Sequence, residues 1–183
     1  MLAPVGWRDR DALRALKADP ASFALMLGGV RTATQADAEL ADDLAFWARH
    51  GAGMWTVRDS APDSGREAER DHGQELGRGP LLGIAGLHER PDGRGVGLRF
   101  AFWPATRGRG LAREAAGAAV RFAHDRAGLP RVVAVAREDN TGSRSVLGAI
   151  GMRECGEFWR DGHLMIVHES LAAPRRLAPC DGR

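Results

Sequence analysis

A run of glycine and arginine between a predicted strand and a predicted helix carries the strongest chemical signal in the sequence. It comprises Arg107, Gly108, Arg109, Gly110, Leu111, Ala112 and Arg113. Glycine lets the backbone approach a ligand closely and adopt angles that other residues resist. The N–H groups and the dipole at a helix start favour an anion, above all phosphate. Since arginine adds positive charge suited to phosphate, the run predicts a cradle for a pyrophosphate group.

Other interpretations of this loop can be tested against the sequence. A P-loop would end in Gly-Lys followed by Ser or Thr, and that ending is missing here. A dinucleotide-binding turn would need a third glycine near Arg113 and would usually open the domain. A plain turn with solvated arginines stays open as long as the loop is considered alone.

A second pattern follows the next predicted strand, on a helix predicted over 140–150. It comprises Asn140, Ser143, Leu147, Gly151 and Met152. Asparagine is a favoured helix N-cap, and a serine in the first turn can bond to the backbone. Both polar residues therefore have an ordinary structural interpretation beside any part in chemistry.

The two patterns together resemble the GNAT superfamily of acetyltransferases. Arg107, Gly110 and Ala112 match its phosphate loop. The second pattern matches a later signature of the branch that includes RimJ and RimL, the ribosomal-protein N-terminal acetyltransferases. The resemblance spans roughly residues 7–170. It implies an N-acetyltransferase that passes an acetyl group directly from acetyl-CoA to a primary amine in a ternary complex, without a metal.

The resemblance also implies where acetyl-CoA binds. The loop amides hold the pyrophosphate. The strand before the loop splays from its neighbour at a bulge near Ala101 and Phe102, where a backbone N–H holds the thioester carbonyl, because a fixed donor stabilises a developing oxyanion. Asn140 contacts the pantetheine arm. The binding residues expected outside the loop are Phe100, Ala101, Phe102, Asn140, Ser143 and Arg144.

The catalytic groups depart from the family pattern. Many members use a tyrosine to protonate the leaving thiolate, but this chain has no tyrosine, so Ser143 or a water must serve. The glutamate expected on the strand before the loop is replaced by Gly97. His88 and Glu89 are the substitutes we select, because histidine titrates in the useful range.

Further candidates for the base are His163 and Glu157, and a water chain without a dedicated base stays open.

The acceptor is an amine-bearing molecule, either a peptide N-terminus or a small molecule. A non-catalytic acyl-CoA-binding or regulatory module is the alternative function, since the expected glutamate and tyrosine are missing. Members of the family often dimerise, so a homodimer is possible. Tryptophans could line an acceptor cleft or pack in the core; the four are Trp47, Trp55, Trp103 and Trp159.

Composition bounds the class of protein. The chain has 183 residues, 44% hydrophobic and 27% charged, with a net charge of +2, as in a soluble domain. Lys17 is the only lysine and the arginines are scattered, which argues against nucleic acid or membrane as a partner. Cys155 and Cys180 indicate neither a disulfide framework nor a zinc site. With no signal peptide or membrane span in sight, we expect a cytoplasmic protein.

The periodicity predicts an α/β (α+β) domain over 1–171, with a mixed, twisted sheet and helices on both faces. The predicted element order is βααβββαβαββ. The second helix, over 34–50, is expected to bury the face that carries Ala38, Ala41, Leu44, Ala45 and Ala48. Residues 59–80 read as a flexible surface loop, with a substrate lid as the alternative, and residues 172–183 as a disordered tail.

Overall fold

The computed structural model of the protein describes residues 1–59 and 79–173. Seven strands form one mixed sheet in the order β1-β2-β3-β4-β5-β7-β6. The strands are β1 (Leu2–Pro4), β2 (Met54–Arg58), β3 (Leu81–Glu89), β4 (Val96–Phe102), β5 (Arg131–Arg137), β6 (Arg153–Arg160) and β7 (His163–Leu171). The helices are α1 (Arg10–Ala18), α2 (Pro20–Phe23), α3 (Ala33–His50), α4 (Leu111–Asp125) and α5 (Thr141–Ala149). The predicted order is confirmed, with the short helix α2 in addition.

Helices cover both faces of the sheet, as predicted. Successive side chains on a strand point to opposite faces, and β3 shows which helices lie on each side. Ile84 packs in one buried cluster with Leu16 of α1 and Leu40 of α3. Its neighbour Ala85 packs in another with Ala115 of α4. The sheet therefore separates an α1–α3 layer from the layer that contains α4.

Strands β4 and β5 are parallel neighbours that are paired at one position only. Their single paired position joins Gly97 to Val133, so the two strands diverge along 98–102. Towards its other neighbour, β4 keeps an unbroken antiparallel register from Val96, opposite Glu89, to Phe102, opposite Gly83. The predicted splay is thus present. The bulge predicted with it is wrong for the described strands, because divergence from β5 opens the gap without an extra residue.

The buried face of α3 differs from the predicted one. Thr32 caps the helix by accepting a hydrogen bond from the N–H of Gln35 at 3.2 Å. The buried residues are Ala36, Leu40, Asp43 and Phe46, whereas the four alanines of the predicted stripe are exposed. Alanine gains little from burial, so larger side chains decided how the helix turns. A buried aspartate on that face was invisible to a search for apolar periodicity.

Two predicted segments fall largely beyond the structure. The loop predicted over 59–80 and the tail predicted over 172–183 lie outside the described residues except at their ends. At those ends the N–H of Asp59 donates to the carbonyl of Pro80 at 3.2 Å, and the N–H of Ala172 donates to that of Pro130 at 2.9 Å. Among the described helices, none is long and apolar enough to cross a membrane.

Candidate active site

The glycine–arginine loop takes the open form that the sequence predicts. Gly108 and Gly110 have φ of +75° and +76°, in the region that glycine alone adopts easily. A Cβ built on either would meet nothing within 4 Å, so the loop faces open space. No side chain caps α4, and Glu114 is the first residue of its first turn whose N–H is bonded, to the carbonyl of Gly110 at 3.0 Å. The preceding N–H groups are therefore available to an anion.

The loop is anchored to the sheet through its first residues. The buried hydroxyl of Thr106 lies 3.1 Å from the carbonyl of Leu82 and 2.8 Å from that of Trp103. The guanidinium of Arg107 donates to the carbonyl of Ala21 at 2.5 Å, which fixes it against α2. Arg107 thus holds the loop in place, in addition to lining the cavity that the loop encloses. Sequence reasoning missed Thr106, since a threonine before a glycine turn is unremarkable by type.

That cavity, which we call the loop cavity, has a volume of about 390 Å³. It runs from the loop to the splay between β4 and β5. Most of the predicted binding residues line it, namely Phe100, Ala101, Phe102, Arg107, Gly108, Gly110, Leu111, Ala112, Arg113, Asn140 and Ser143. Unbonded helix N–H groups at one end and an apolar strand at the other fit a pyrophosphate joined to a long, mostly uncharged arm.

Two predicted binding residues do not line the loop cavity. These are Arg109, which is exposed, and Arg144. The guanidinium of Arg144 donates to Glu154 of β6 at 2.8 Å and to the carbonyl of Glu138 at 3.2 Å. A nearby carboxylate thus holds the Arg144 side chain as a link between α5 and β6, and the part in binding expected of both arginines stays a prediction.

A second cavity, the charged cavity, opens on the α1–α3 side of β4 and has a volume of about 770 Å³. Its charged lining includes Glu39 and Asp43 of α3 and Arg99 of β4. Five residues line both cavities, and these are Leu25, Met26, Phe100, Asn140 and Ser143. The two cavities therefore adjoin at the splay, where a group held in one lies next to a group held in the other.

Asn140 and Ser143 combine a structural part with exposure to both cavities. The Asn140 side-chain oxygen accepts a hydrogen bond from the N–H of Ser143 at 3.1 Å, and this caps α5. The capping interpretation is therefore confirmed. The Ser143 hydroxyl bonds to no group of the described residues, so it is free to donate into the cavities that it lines.

His88 occupies the space left by the missing side chain at Gly97. The two residues are opposite each other on β3 and β4. A Cβ on Gly97 would lie 2.8 Å from Nε2 of His88 and 2.7 Å from Cγ of Arg90. Nδ1 of His88 lies 2.9 Å from the carbonyl of Glu89. A carbonyl only accepts, so Nδ1 carries the proton and the lone pair of the neutral ring is on Nε2.

Burial and the positive charge of Arg99 lower the pKa of His88 to about 3. The ring is therefore neutral at physiological pH. The other predicted substitute, Glu89, also lines the charged cavity, but its exposed carboxylate is paired with Arg49 at 2.9 Å. His163 and Glu157 are exposed and line neither cavity. Of the predicted bases, His88 alone combines a position at the cavity wall with an available lone pair.

The ion pairs at the base of the charged cavity were not predicted. Arg99 donates to Asp43 at 3.0 Å and to Glu39 at 3.3 Å. Burial would raise the pKa of Glu39, but Arg99 and Lys17 outweigh it and bring that pKa to about 2. Burial raises the pKa of Asp43 despite the same arginine. A lone arginine in the otherwise apolar strand β4 was the available signal, because a buried cation needs a partner.

The tryptophans pack in the core or lie on the surface. Trp47 donates from its indole N–H to the carbonyl of Met54 at 2.8 Å and meets Trp55 edge-on at 5.0 Å. Trp103 packs in the α1–α3 layer, and Trp159 is 72% exposed. None of the four lines either cavity, so the acceptor-cleft interpretation is wrong for the described residues. Nor do the described side chains form a group of three or more metal ligands.

Comparison with known proteins agrees with this geometry. Solved structures with the same fold include a GNAT-family acetyltransferase from Bordetella pertussis (24% identity, 92% of this chain and 93% of that one, TM-score 0.72). A ribosomal-protein-alanine N-acetyltransferase from Brucella melitensis has 17% identity over 93% and 99% of the chains, with a TM-score of 0.66. A variant of the spermidine N-acetyltransferase SpeG from Vibrio cholerae has 13% identity over 93% and 94%, with a TM-score of 0.63.

The family comparison is more specific than these likenesses of fold. Residues 1–153 match the family described as "Acetyltransferase (GNAT) domain", which covers most of the chain and includes the loop, the splay and α5. The chain belongs to the GNAT family and is an acyl-CoA-dependent acetyltransferase.

Proposed function

We propose that the protein transfers the acetyl group of acetyl-CoA to a primary amine by direct attack, with both substrates bound at once. The observation that carries this proposal is the junction of the two cavities at Asn140 and Ser143. In this arrangement the loop cavity holds the cofactor and the charged cavity holds the acceptor. When bound, acetyl-CoA supplies an activated thioester, whose acetyl carbon exchanges its bond to sulfur for a bond to the amine nitrogen.

In this proposal, backbone groups bind and polarise the thioester. The first N–H groups of α4 and Arg113, which lines the loop cavity, neutralise phosphate charge. The N–H of Trp103 donates to the carbonyl of Leu82 in β3 at 3.1 Å. N–H groups alternate in direction along a strand, so those of Phe100 and Phe102 point into the splay. There they can stabilise the developing oxyanion.

Two side chains handle protons. Nε2 of His88 accepts a hydrogen bond from the neutral amine and so turns the amine's lone pair towards the thioester carbon. Burial and Arg99 lower the pKa of His88 to about 3, so the proton that the nitrogen loses passes to water and is not kept on the ring. The Ser143 hydroxyl donates a hydrogen bond to the leaving sulfur, and the departing thiolate takes its proton through Ser143 from water. The presence of His88 where the glutamate is missing favours an enzyme over a non-catalytic acyl-CoA-binding module.

The fold leaves open which amine is the acceptor. One structure of this fold is named a ribosomal-protein-alanine acetyltransferase and another a spermidine acetyltransferase. We propose the RimJ/RimL-like branch because Asn140, Ser143 and Leu147 keep that branch's spacing, which makes a protein N-terminus one acceptor to test beside small amines.

We also propose one catalytic domain over 1–171, cytoplasmic and without affinity for nucleic acid or membranes. The exposed free thiol of Cys155 suits a reducing compartment. Many of the described arginines are paired with carboxylates, which leaves no broad basic surface. Size-exclusion chromatography with light scattering would show whether the protein forms the homodimer that the family resemblance allows.

Calorimetry with acetyl-CoA tests the first half of the proposal, and CoA release with a panel of amines and peptides tests the second. We expect binding in the micromolar range, thiol release that depends on an amine, and intersecting initial-velocity plots without an acetylated enzyme in the mass spectrum. Arg153→Gln, at an exposed position outside both cavities, is the control and should bind acetyl-CoA normally. Absence of binding at ~1 mM, the upper end of the usual range of KM, would refute the proposal.

A further inference from the structure

The chain between α2 and α3 forms part of the wall of both cavities, and we call residues 24–31 the wall segment. Leu25 and Met26 line the loop cavity and the charged cavity, whereas Leu27 and Gly28 line the charged cavity alone. The wall segment therefore borders the junction at which the proposed function brings the thioester and the amine together. The positions of Leu25 and Met26 set the width of that junction.

The backbone of the wall segment belongs to no helix or strand. Gly28 and Gly29 follow one another at φ of +85° and +66°, so this part of the chain has wide conformational freedom before it folds. The N–H of Gly29 donates to the carbonyl of Met26 at 2.8 Å, and the N–H of Arg31 donates to the carbonyl of Lys17 at 2.9 Å. The fixed shape of so free a segment depends on further contacts from side chains.

The guanidinium of Arg31 supplies such contacts. It donates to the carbonyl of Leu27 at 2.7 Å, to the carbonyl of Gly29 and to the carboxylate of Glu39. Its central carbon lies 5.8 Å from the ring centre of Phe23, the last residue of α2. The planar fork of an arginine satisfies several acceptors in fixed directions, and here it ties the glycine turn to α3.

Glu39 is a firm anchor for this arrangement. It also accepts hydrogen bonds from Lys17 of α1 at 2.8 Å and from Arg99 of β4 at 3.3 Å. The side chain of Lys17 is 1% exposed, so the anchor lies inside the packed core of the α1–α3 layer. The wall segment is thus joined through one carboxylate to α1, α3 and β4. Loss of Arg31 would leave Glu39 with two cationic partners, so the anchor itself would remain.

The charges that line the charged cavity balance when each is ionised. Five arginines face five carboxylates, namely Arg31, Arg49, Arg90, Arg99 and Arg160 with Glu39, Asp42, Asp43, Glu89 and Asp92. Net charge therefore gives Arg31 no excess with which to attract a ligand. Because its 12% exposed side chain is engaged with the wall segment and Glu39, Arg31 acts on a bound molecule through the residues that it holds.

We propose that Arg31 is a positioning residue for the transfer, which holds Leu25 and Met26 at the junction of the two cavities before the acceptor enters. This inference rests on the proposed function and adds to it a residue that acts through the wall of the site. A wall that is already ordered costs little conformational entropy when a ligand binds against it. The KM for the acceptor therefore depends on Arg31, whereas the chemical step does not.

Acceptor kinetics with cadaverine, benzylamine and tri-alanine, together with any other amine that releases CoA, test the inference. Arg31→Gln should raise KM for the acceptor by about tenfold and leave kcat within about threefold, the pattern of lost binding rather than lost chemistry. Acetyl-CoA affinity should change less, because the loop at 107–113 is intact. Loss of a cation from a balanced cavity would on its own lower KM for the dication cadaverine, so a fall in that KM would overturn the inference.

A lysine variant separates geometry from charge. Arg31→Lys keeps the charge but replaces the fork by one nitrogen, so most of the rise in KM should persist. Arg58→Lys is the matched control, because Arg58 is 13% exposed and donates to Asp9 at 2.6 Å and to the carbonyl of Gly79 at 3.1 Å but lines neither cavity. It should lower stability without a change in KM. Wild-type KM in Arg31→Lys, or equal rises in both lysine variants, would refute the positioning role.

Hydrogen exchange measures the same role without an acceptor. In Arg31→Lys, peptides that cover 24–31 should exchange about tenfold faster than in the wild type, whereas peptides that cover β2 should keep their rate. Arg58→Lys should show the opposite pattern. Unchanged exchange of the wall segment in Arg31→Lys would mean that Arg31 does not hold it, and the inference would fail.

Failure of the inference can be told apart from failure of the proposed function. If the wild type acetylates amines and Arg31→Gln leaves every acceptor KM unchanged, Arg31 has no positioning role and the transfer to amines stands. If acetyl-CoA binds but the wild type acetylates no amine of any kind, the proposed transfer fails and the inference fails with it.

Discussion

The two cavities that meet at Ser143 are built in opposite ways. The loop cavity owes its chemistry to backbone N–H groups on one continuous segment, residues 107–113, preceded by an apolar strand. The charged cavity owes its chemistry to side chains from separate segments, including Glu39 of α3, His88 of β3 and Arg99 of β4. The first kind of site needs glycine and a helix start, whereas the second needs several elements to pack correctly before it exists.

The difference separates what is general in this enzyme from what is particular. A site made from backbone, as we propose for acetyl-CoA, suits the cosubstrate that the family shares, and few side-chain substitutions can change it. A site made from side chains can change its acceptor by single substitutions, and this chain shows such a change at Gly97, where His88 and Arg90 fill the space. Substitutions in the two cavities should therefore have different signatures, on cofactor binding in one and on turnover in the other.

The largest effect is expected at the loop. Gly110→Glu places a carboxylate in the loop that we propose for the pyrophosphate and forces a side chain onto a backbone with φ of +76°. Acetyl-CoA affinity should fall by more than about 100-fold, because repulsion is added to the loss of the anion site. Calorimetry measures it. Gly128→Glu is the matched control, since Gly128 also has positive φ, +66°, and open space around it but lies at the other end of α4. Equal losses in both variants would mean that backbone strain, and not the cradle, is responsible.

A smaller effect, on turnover alone, is expected at the base. His88→Gln removes the lone pair on Nε2 and should lower kcat by about tenfold, below the usual range for general base catalysis, because the lowered pKa makes the ring a weak base. Acetyl-CoA affinity should hold, because His88 does not line the loop cavity. Steady-state rates and calorimetry on the same preparations separate the two. His163→Gln is the comparison, because the sequence also allowed this exposed histidine as the base. A loss of turnover in His163→Gln and not in His88→Gln would mean that His163 is the base.

Ser143 lines both cavities, so it tests the boundary between them. Ser143→Ala should lower kcat by about tenfold if its hydroxyl protonates the leaving sulfur, with a lesser change in acetyl-CoA affinity. Thr141→Ala, at an exposed position on the same helix turn, is the control. An unaltered kcat would mean that water protonates the leaving sulfur and that Ser143 only lines the cavities.

Most residues that line the loop cavity were identified from the sequence. The physical reason is that its geometry is determined by residues close together in the chain. Gly108, Gly110 and the start of α4 are contiguous, so their types and spacing determine the geometry. Asn140 likewise caps the helix that it begins. The order of the elements along the chain and the helices on both faces followed from periodicity in the same way. The position of the Arg144 side chain could not be predicted, because Glu154, on strand β6, accepts a hydrogen bond from it.

The charged cavity was mostly out of reach for the opposite reason. His88 was selected, but nothing local shows that it lies against Gly97 or that Arg99 joins Glu39 to Asp43. The predicted stripe on α3 followed alanines and so turned the helix the wrong way. Contacts between side chains dozens of positions apart depend on the packed structure. Neither composition nor local periodicity shows which of these residues will lie next to each other.

The smallest effect is a pH dependence that reports on His88 in the folded state. Its pKa is lowered by burial and by Arg99 from its usual 6.5 to about 3, so between these values the unfolded chain binds the proton and the folded chain does not. Stability from this residue is therefore complete above about pH 6.5 and is lost as pH falls towards 3. The free energy of unfolding should drop by about 1 kcal/mol over the first pH unit below 6.5.

Urea denaturation of the wild type and His88→Gln isolates this contribution, since His168 and the carboxylates titrate in both. The difference between the two proteins should shrink as pH falls, and His163→Gln should follow the wild type. A constant difference across this range would mean that the pKa of His88 is not lowered in the folded state, and that burial and Arg99 do not act on its ring as the structure indicates.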